Sequence, residues 1–306
     1  MRRILSASAG AIALSGAALA ADLPARAPPP VYLPPPPPTW TGLYVGLNAG
    51  YTWSNSNTVN TFTANVFGNP ILRPPGSATA FSISSAALAT ARLPSRIDGF
   101  IGGGQFGYNY QFGSWVTGLE LDFQGIAAGG GSSTLLSSAT VPGFAAFPIN
   151  QTLSVSRSLD WFGTVRGRVG FTVWPTLLVY GTGGLAYGQA SSSTSILQSI
   201  QNVGAVPPYG SFGTFSQALA GWTAGGGLEW LFFPNWSLKV EYLYYDLGRA
   251  TYALSPLTSF ANIGGLTIPR TSGAPVSRTT FNGNIVRVGI NYHFNWGYPA
   301  PIVAKY

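Results

Sequence analysis

Residues 159–173, LDWFGTVRGRVGFTV, alternate between apolar and polar side chains, and this alternation decides the fold class. Successive side chains of a strand point to opposite faces, so a period of two indicates a β-strand rather than a helix. The apolar set is Leu159, Trp161, Val165, Val169, Phe171 and Val173, and the polar set is Asp160, Thr164, Arg166, Arg168 and Thr172. The segment therefore predicts a strand with one apolar face and one charged face.

The same alternation recurs after Trp40 and predicts eight strands in total. We place them at residues 43–53, 96–110, 115–126, 159–173, 177–189, 218–232, 236–245 and 282–294. Tight turns lie at 111–114, 174–176 and 233–235, and they alternate with long connections at 54–95, 127–157, 190–217 and 247–280. An even number of strands with short turns at one end and long loops at the other is typical of bacterial outer-membrane barrels. We therefore predict an all-β fold, a transmembrane eight-stranded antiparallel up-and-down β-barrel over residues 40–294 with four long surface loops.

The charged residues lie on the face that such a barrel would enclose, so the apolar face is expected to contact lipid. A tilted strand of about 9 to 11 residues crosses the bilayer core, and a closed barrel leaves no backbone group unpaired there. Aromatic residues bracket this apolar band, as expected at the two membrane–water interfaces. They are Tyr110, Phe112, Trp115, Trp174, Trp230, Phe232, Trp236, Tyr292 and Phe294 near the short turns, and Tyr51, Trp53, Phe123, Trp161, Tyr187, Trp222 and Tyr244 near the long loops. The alternative is that these aromatic residues form the core of a soluble sandwich.

The composition excludes several other classes of protein. Only 8% of the 306 residues are charged, against about 25% in an ordinary soluble protein, while 14% aromatic residues exceed what a disordered chain carries. The absence of cysteine excludes a disulfide framework, a thiolate metal site and a cysteine nucleophile. The net charge of +7 comes from scattered basic residues, so no nucleic-acid partner is predicted.

The two ends of the chain differ from the barrel region. Residues 1–20 combine Arg2 and Arg3 with a small-residue apolar stretch and an A-x-A site, which predicts a signal peptide rather than a membrane-anchoring helix. Residues 21–39 are Pro-rich and are expected to form a periplasmic tether of polyproline type, although a ligand role for the proline run is the alternative. Residues 295–306 form a predicted C-terminal tail. Both termini are expected in the periplasm and the four long loops outside the cell.

Several motifs occur in an order that resembles a known family. They lie at residues 40–46 (WTGLYVG), 107–111 (GYNYQ), 118–122 (GLELD), 160–170 (DWFGTVRGRVG), 180–188 (YGTGGLAYG), 239–248 (KVEYLYYDLG) and 286–294 (VRVGINYHF). The chain resembles the alphaproteobacterial outer-membrane immunogenic proteins, also called RopB-type porin-family proteins, which are small OmpA-like barrels. The resemblance implies a cell-envelope protein of the Gram-negative outer membrane, with outer-membrane lipid and the barrel assembly machinery as partners. The extension after Phe294 departs from the family, whose members usually end at the aromatic residue that the assembly machinery reads.

Charged residues on the enclosed face are the candidate site, and we expect them to form a lumen charge network. They are Glu120, Asp122, Asp160, Arg166, Arg168, Glu229, Lys239, Glu241 and Arg287. An eight-stranded barrel is just wide enough for side chains to fill it, so acids and bases on neighbouring strands are expected to pair. The pairs could close the lumen, or they could line an ion path. The narrow lumen favours closure.

No constellation predicts an enzyme, a cofactor or a metal site. Glu120 and Asp122 face arginines rather than acting as a general acid pair, and His293 lacks a serine motif or a second histidine. Glycine groups such as 102–104 lack the lysine of a phosphate loop. The sequence predicts a structural, surface-exposed barrel that contributes to envelope integrity and meets environmental or host ligands through its loops. A narrow porin-like channel for small solutes is the alternative, and a membrane-embedded enzyme comes third.

Overall fold

The protein forms an antiparallel β-barrel, and the computed structural model describes residues 39–66, 77–201, 207–263 and 266–294. The elements are β1 Gly42–Ser54, β2 Thr58–Asn65, α1 Ser77–Leu88, β3 Ala91–Pro94, β4 Asp98–Phe112, β5 Trp115–Gly129, β6 Gly131–Val141, β7 Phe144–Trp174, β8 Leu177–Ile200, β9 Tyr209–Phe233, β10 Trp236–Ala253, β11 Leu257–Ile263 and β12 Leu266–Phe294. The predicted signal peptide (1–20), the tail (295–306) and all of the tether (21–39) except Thr39 lie outside the described residues.

Eight strands close the barrel. They follow one another in the order β1-β4-β5-β7-β8-β9-β10-β12, and β12 pairs back onto β1. In this closing pair Leu43 lies opposite Phe294 and Ser54 opposite Gly283. Each of the eight predicted strands overlaps one of these strands, so the prediction of an eight-stranded antiparallel barrel is confirmed.

The long connections are largely ordered strand instead of loop. β7 continues for 31 residues and β12 for 29, far beyond the predicted strand ends. The additional strands β2, β3, β6 and β11 pair onto this extended wall. The described residues of the four segments predicted as long surface loops are therefore mainly an extension of the barrel wall, together with the helix α1.

The wall reverses its polarity at a β-bulge in β7 between Leu159 and Phe162. On the long-connection side of this bulge β7 buries apolar residues such as Leu153 and Val155 together with Gln151 and Arg157, and serines lie between them. On the other side β7 buries Thr164, Arg166 and Arg168, and its valines are exposed. An apolar outer face fits lipid, whereas a polar outer face around an apolar interior fits water. The sequence prediction requires an apolar outer face, so it begins the strand at Leu159 and misses the part of β7 beyond the bulge.

An exposed apolar band surrounds the lower part of the wall, between the bulge and the short turns. Leu121, Val169 and Val240 belong to it, and each is at least 44% exposed. Aromatic residues border the band at its long-connection side, and we call them the upper girdle: Tyr51, Phe100, Phe123, Trp161, Tyr187, Trp222 and Tyr244. A second set lies at the short turns and includes the ring pairs Trp115–Phe171 and Trp236–Tyr292. The band and its two aromatic borders match the predicted lipid-facing surface.

Among the described residues, no helix is long and apolar enough to cross a bilayer.

An arginine at the middle of the apolar band is expected to destabilise the barrel. Val169→Arg and Val240→Arg each place a charge in lipid, which costs about 2 to 4 kcal/mol near the bilayer midplane. Urea unfolding in lipid vesicles measures this loss. Thr214→Arg is the control, because Thr214 is exposed on β9 beyond the upper girdle. Equal free energies of unfolding for all three variants would contradict the assignment of the band to lipid.

Candidate functional site in the barrel lumen

Eight charged side chains from five strands fill the middle of the barrel, and we call them the lumen charge cluster. They are Glu120 and Asp122 of β5, Arg166 and Arg168 of β7, Glu229 of β9, Lys239 and Glu241 of β10, and Arg287 of β12. Each is at most 3% exposed. Four are acidic and four are basic, so their formal charges cancel.

Neighbouring strands supply one set of ion pairs in the cluster. Glu120 lies opposite Arg166 in the β5–β7 register, and the two side chains form an ion pair. Glu241 lies opposite Arg287 in the β10–β12 register, and the Arg287 Nε donates to Glu241 Oε2 at 2.7 Å. These are the cross-strand contacts that parity predicts, where parity means that every second residue of a strand points to the enclosed face.

A second set of ion pairs crosses the lumen. Lys239 Nζ lies 2.8 Å from Glu120 Oε1, although β10 and β5 are four strands apart in the ring of eight. Arg287 Nη2 lies 2.8 Å from Asp122 Oδ2, again between strands that do not touch. The other long-reach pairs are Arg166 Nη1–Glu241 Oε1 at 3.0 Å, Arg168 Nη2–Glu229 Oε2 at 2.9 Å and Arg287 Nη2–Glu120 Oε1 at 3.4 Å. The cluster therefore joins opposite walls of the barrel.

Two tyrosines that the sequence analysis did not single out complete the cluster. The guanidinium of Arg168 lies 4.9 Å from the ring centre of Tyr44 and 5.0 Å from that of Tyr180. The Tyr44 hydroxyl donates to Glu120 Oε2 at 2.6 Å, and the Tyr180 hydroxyl donates to Glu241 Oε1 at 2.8 Å. Parity could have found both, because each tyrosine lies on the enclosed face of its strand.

A glycine makes room for one of these tyrosines. A Cβ atom at Gly107 would lie 2.3 Å from the Tyr44 hydroxyl oxygen, closer than any real contact allows. Glycine on the enclosed face thus lets a large side chain lie flat against the backbone of the neighbouring strand. This accounts for part of the high glycine content in the strands.

Buried apolar side chains lie on both sides of the charge cluster in the lumen. Toward the short turns the buried apolar residues include Trp40, Val116, Leu178 and Leu231. Toward the upper girdle they include Ile101, Phe162, Leu243, Tyr245, Phe281 and Ile285. The charged groups therefore lie in a compartment with apolar side chains above and below.

Asp160, the ninth predicted member of the network, does not belong to the cluster. The side chain is exposed, because the β-bulge between Leu159 and Phe162 shifts the alternation by one residue. For the same reason Leu159, predicted on the lipid face, is buried in the interior. A bulge leaves no clear trace in the alternation of a single strand, so parity alone places both residues incorrectly.

His293 has a serine and a carboxylate beside it, in an arrangement that differs from a hydrolytic triad. Ser237 Oγ lies 2.9 Å from His293 Nε2 and donates to Glu229 Oε1 at 2.6 Å. Glu229 Oε1 is itself 3.3 Å from the same Nε2 atom. In a hydrolytic triad the carboxylate binds the imidazole nitrogen opposite the one that faces serine. Within the described part of the chain, no group of His, Asp and Glu side chains could hold a metal ion.

Arg157 forms a separate buried contact beyond the upper girdle, outside the apolar band. Its Nη1 donates to the carbonyls of Ser56 and Ser95 at 2.7 and 2.9 Å, and its Nη2 donates to the carbonyl of Thr280 at 2.6 Å. The guanidinium also lies 4.9 Å from the ring centre of Phe281. Burial lowers the pKa of Arg157 to about 10, so the group stays charged at neutral pH. Arg157 therefore ties three chain segments together inside the extended wall.

Comparison with known proteins gives one family match and several relatives. The family model described as an outer membrane protein beta-barrel domain matches residues 7–294. The 31 kDa outer-membrane immunogenic protein of Brucella melitensis is 32% identical over 297 residues, which cover 96% of this chain and 100% of that protein. The 22 kDa outer membrane protein of Rhizobium leguminosarum is 32% identical over 154 residues, covering 50% of this chain and 56% of that protein. The structure of OprG from Pseudomonas aeruginosa is 10% identical, covers 84% of this chain and 99% of that one, and superposes with a TM-score of 0.37.

Proposed function

The chain belongs to the outer membrane protein beta-barrel domain family, and from this premise we propose that it is a closed structural barrel rather than a channel. Its place is the outer membrane of Gram-negative bacteria, and its resemblance to the outer-membrane immunogenic proteins is confirmed. The finer proposal is that it contributes to envelope integrity and presents its extended wall to the environment or a host.

The ion pairs that cross the lumen carry this proposal. A water-filled path along the axis would separate Lys239 from Glu120 and leave both side chains accessible to water. Instead their charged atoms are 2.8 Å apart, and each side chain is at most 2% exposed. Burial of the Glu120 charge is tolerated because its carboxylate meets Arg166, Lys239 and Arg287 and accepts a hydrogen bond from the Tyr44 hydroxyl. The cluster thus acts as a plug across the membrane-spanning part.

At the long-connection end of the wall, α1 and the residue after it pack against the strands. Ser85 of α1 donates to the Gln198 side-chain oxygen, and the Gln198 amide donates back to the Ser85 carbonyl at 2.9 Å. Ala89, just after α1, is fully buried among the apolar residues at this end. These contacts favour a surface role for this end over an entry path.

We also propose that the protein is not an enzyme. The Ser237, His293 and Glu229 side chains are each at most 4% exposed, so a substrate has no access to them. Both serine and glutamate meet the same imidazole nitrogen, which leaves no nitrogen positioned to relay a proton between them.

Conductance of the purified protein in planar bilayers tests the proposed function. The wild-type barrel is expected to give no single-channel steps under salt conditions in which a control porin conducts. Reproducible, ion-selective steps from correctly folded wild-type protein would overturn the plug and establish the narrow channel. The enzyme proposal is tested separately by incubating the folded barrel with peptide and ester substrates, where hydrolysis above background would contradict it.

The orientation of the barrel gives a prediction for intact cells. An epitope inserted at Pro256, between β10 and β11, is expected to be labelled on intact cells because the long-connection end faces outside. The same epitope in the turn at Pro175, between β7 and β8, is the matched control and should be labelled only after permeabilisation. Labelling of the Pro175 insertion on intact cells would show that the barrel is inverted.

A further inference from the structure

Three arginines form an exposed patch on the outer face of the wall beyond the upper girdle. They are Arg92 of β3, Arg278 of β12 and Arg249 of β10, and we call them the arginine patch. The strands lie side by side in the order β3-β2-β12-β10.

The strand register brings the three arginines together. Asn60 of β2 lies opposite both Arg92 and Arg278, so these two arginines share one row across three strands. Arg249 pairs with Thr280, two residues from Arg278, which makes Arg249 a diagonal neighbour of Arg278. Adjacent strands are about 4.8 Å apart and diagonal neighbours about 7 to 8 Å. One phosphate-bearing group can therefore reach more than one guanidinium.

No carboxylate neutralises the patch within the described residues. Among the described residues, the ion pair at the surface joins Arg96 to Asp98 at 3.2 Å. None of the three patch arginines forms an ion pair within the same residues. Asp246, the acidic residue closest to Arg249 in sequence, has its Oδ1 bonded to the backbone N–H of Gly248 at 2.8 Å. The patch thus presents three positive charges to the outside.

The height of the patch matches the head-group layer of the outer leaflet. Asn284 lies opposite Tyr244 of the upper girdle, and Thr280 and Arg278 follow four and six residues farther along β12. At about 3.3 Å per residue and a strand tilt of about 40°, these positions stand roughly 10 to 15 Å above the girdle. Arginine side chains can reach back toward the lipid, because their aliphatic stems extend along the surface.

The opposite side of the wall carries hydroxyl groups at a similar height. Ser156 of β7 and Ser193 of β8 are hydrogen-bonded at 2.7 Å, and Ser191 and Ser216 at 3.2 Å. The positive charge is therefore concentrated on one side of the barrel. A general attraction to an anionic membrane does not require the arginines to cluster on one side. Binding of one discrete anionic group requires several arginines within its reach.

We propose that the arginine patch binds the phosphorylated head group of the outer-leaflet glycolipid, lipopolysaccharide. Guanidinium groups bind phosphate bidentately, and Asn60 and Thr251 add polar side chains in the same row. This proposal rests on the proposed function in one respect, namely that the long-connection end faces outside.

Binding of purified lipopolysaccharide to the folded full-length barrel in detergent tests the proposal. The triple variant Arg92→Gln/Arg249→Gln/Arg278→Gln is expected to bind roughly 100-fold more weakly than wild type, at about a factor of five per arginine. Arg96→Gln is the matched control, because Arg96 is 63% exposed and already paired with Asp98. It should bind like wild type. Heat-modifiable electrophoretic mobility verifies that each variant is folded.

Three results would overturn the proposal: equal binding by the triple variant and wild type, equal binding of dephosphorylated lipopolysaccharide, or a preference for a soluble sulfated polysaccharide over lipopolysaccharide. The last result would identify a soluble polyanion as the partner. Binding in detergent does not depend on the orientation in the cell or on a closed lumen. A failure of the proposed function, seen in conductance or epitope labelling, is thus distinguishable from a failure of this proposal.

Discussion

Arg166→Ala is expected to destabilise the folded barrel by about 3 to 5 kcal/mol, because it removes one partner from a buried ion network. Arg166 contacts Glu120, Asp122 and Glu241, and its side chain is fully buried. The variant leaves four acidic side chains against three basic ones in the cluster. Urea unfolding in lipid vesicles, followed by tryptophan fluorescence, measures the loss.

Two comparisons make this result specific to the cluster. Arg96→Ala removes an arginine that is 63% exposed, so a change of about 1 kcal/mol or less is expected. The double variant Arg166→Ala/Glu241→Ala removes one charge of each sign and should recover part of the loss. If water fills the lumen, Arg166→Ala instead leaves stability unchanged and alters ion conductance. Unchanged stability together with altered conductance would show that the lumen is a pore and not a plug.

The strands and most of the charge cluster can be predicted because lipid and a narrow lumen impose opposite polarities on the two faces of each strand. Glu120 and Arg166 follow directly from that parity, and they lie opposite each other as expected. Parity fails at Asp160, where one extra residue in a bulge moves the side chain to the outer face. The contacts across the lumen, such as Lys239 with Glu120, depend on barrel closure and cannot be obtained from one strand at a time.

The extended wall is hidden from the same reasoning for a different reason. Beyond the upper girdle the surroundings change from lipid to water, so the apolar face turns inward. The run from Ile149 to Leu159 keeps a period of two, with Arg157 on its buried face. Its alternation therefore predicts a strand if the apolar residues are taken to face the interior and the serines to face water. Without that allowance its serines suggest a loop.

Trp40→Ala is expected to destabilise the barrel by about 3 to 5 kcal/mol, the usual range for truncating a large buried aromatic residue. Trp40 is fully buried at the short-turn end, where it packs with Val116, Leu178 and Leu231. Its indole Nε1 donates to the Pro175 carbonyl at 3.2 Å, so the variant also removes a hydrogen bond that ties residue 40 to the β7–β8 turn. Urea unfolding of the folded barrel in lipid measures the effect.

Trp174→Ala is the matched control for Trp40→Ala, because Trp174 ends β7 at the same end of the barrel but is 63% exposed on the outer face. It leaves no internal cavity, so its loss of stability should be clearly smaller. Trp40→Phe should lie between Trp40→Ala and wild type, since a phenyl ring fills part of the space but lacks the indole donor. The ring of Trp40 also lies 5.7 Å from that of His293 in an edge-to-face contact, which Trp40→Ala removes. Equal stability of Trp40→Ala and Trp174→Ala would show that the short-turn end is open and that Trp40 does not close it.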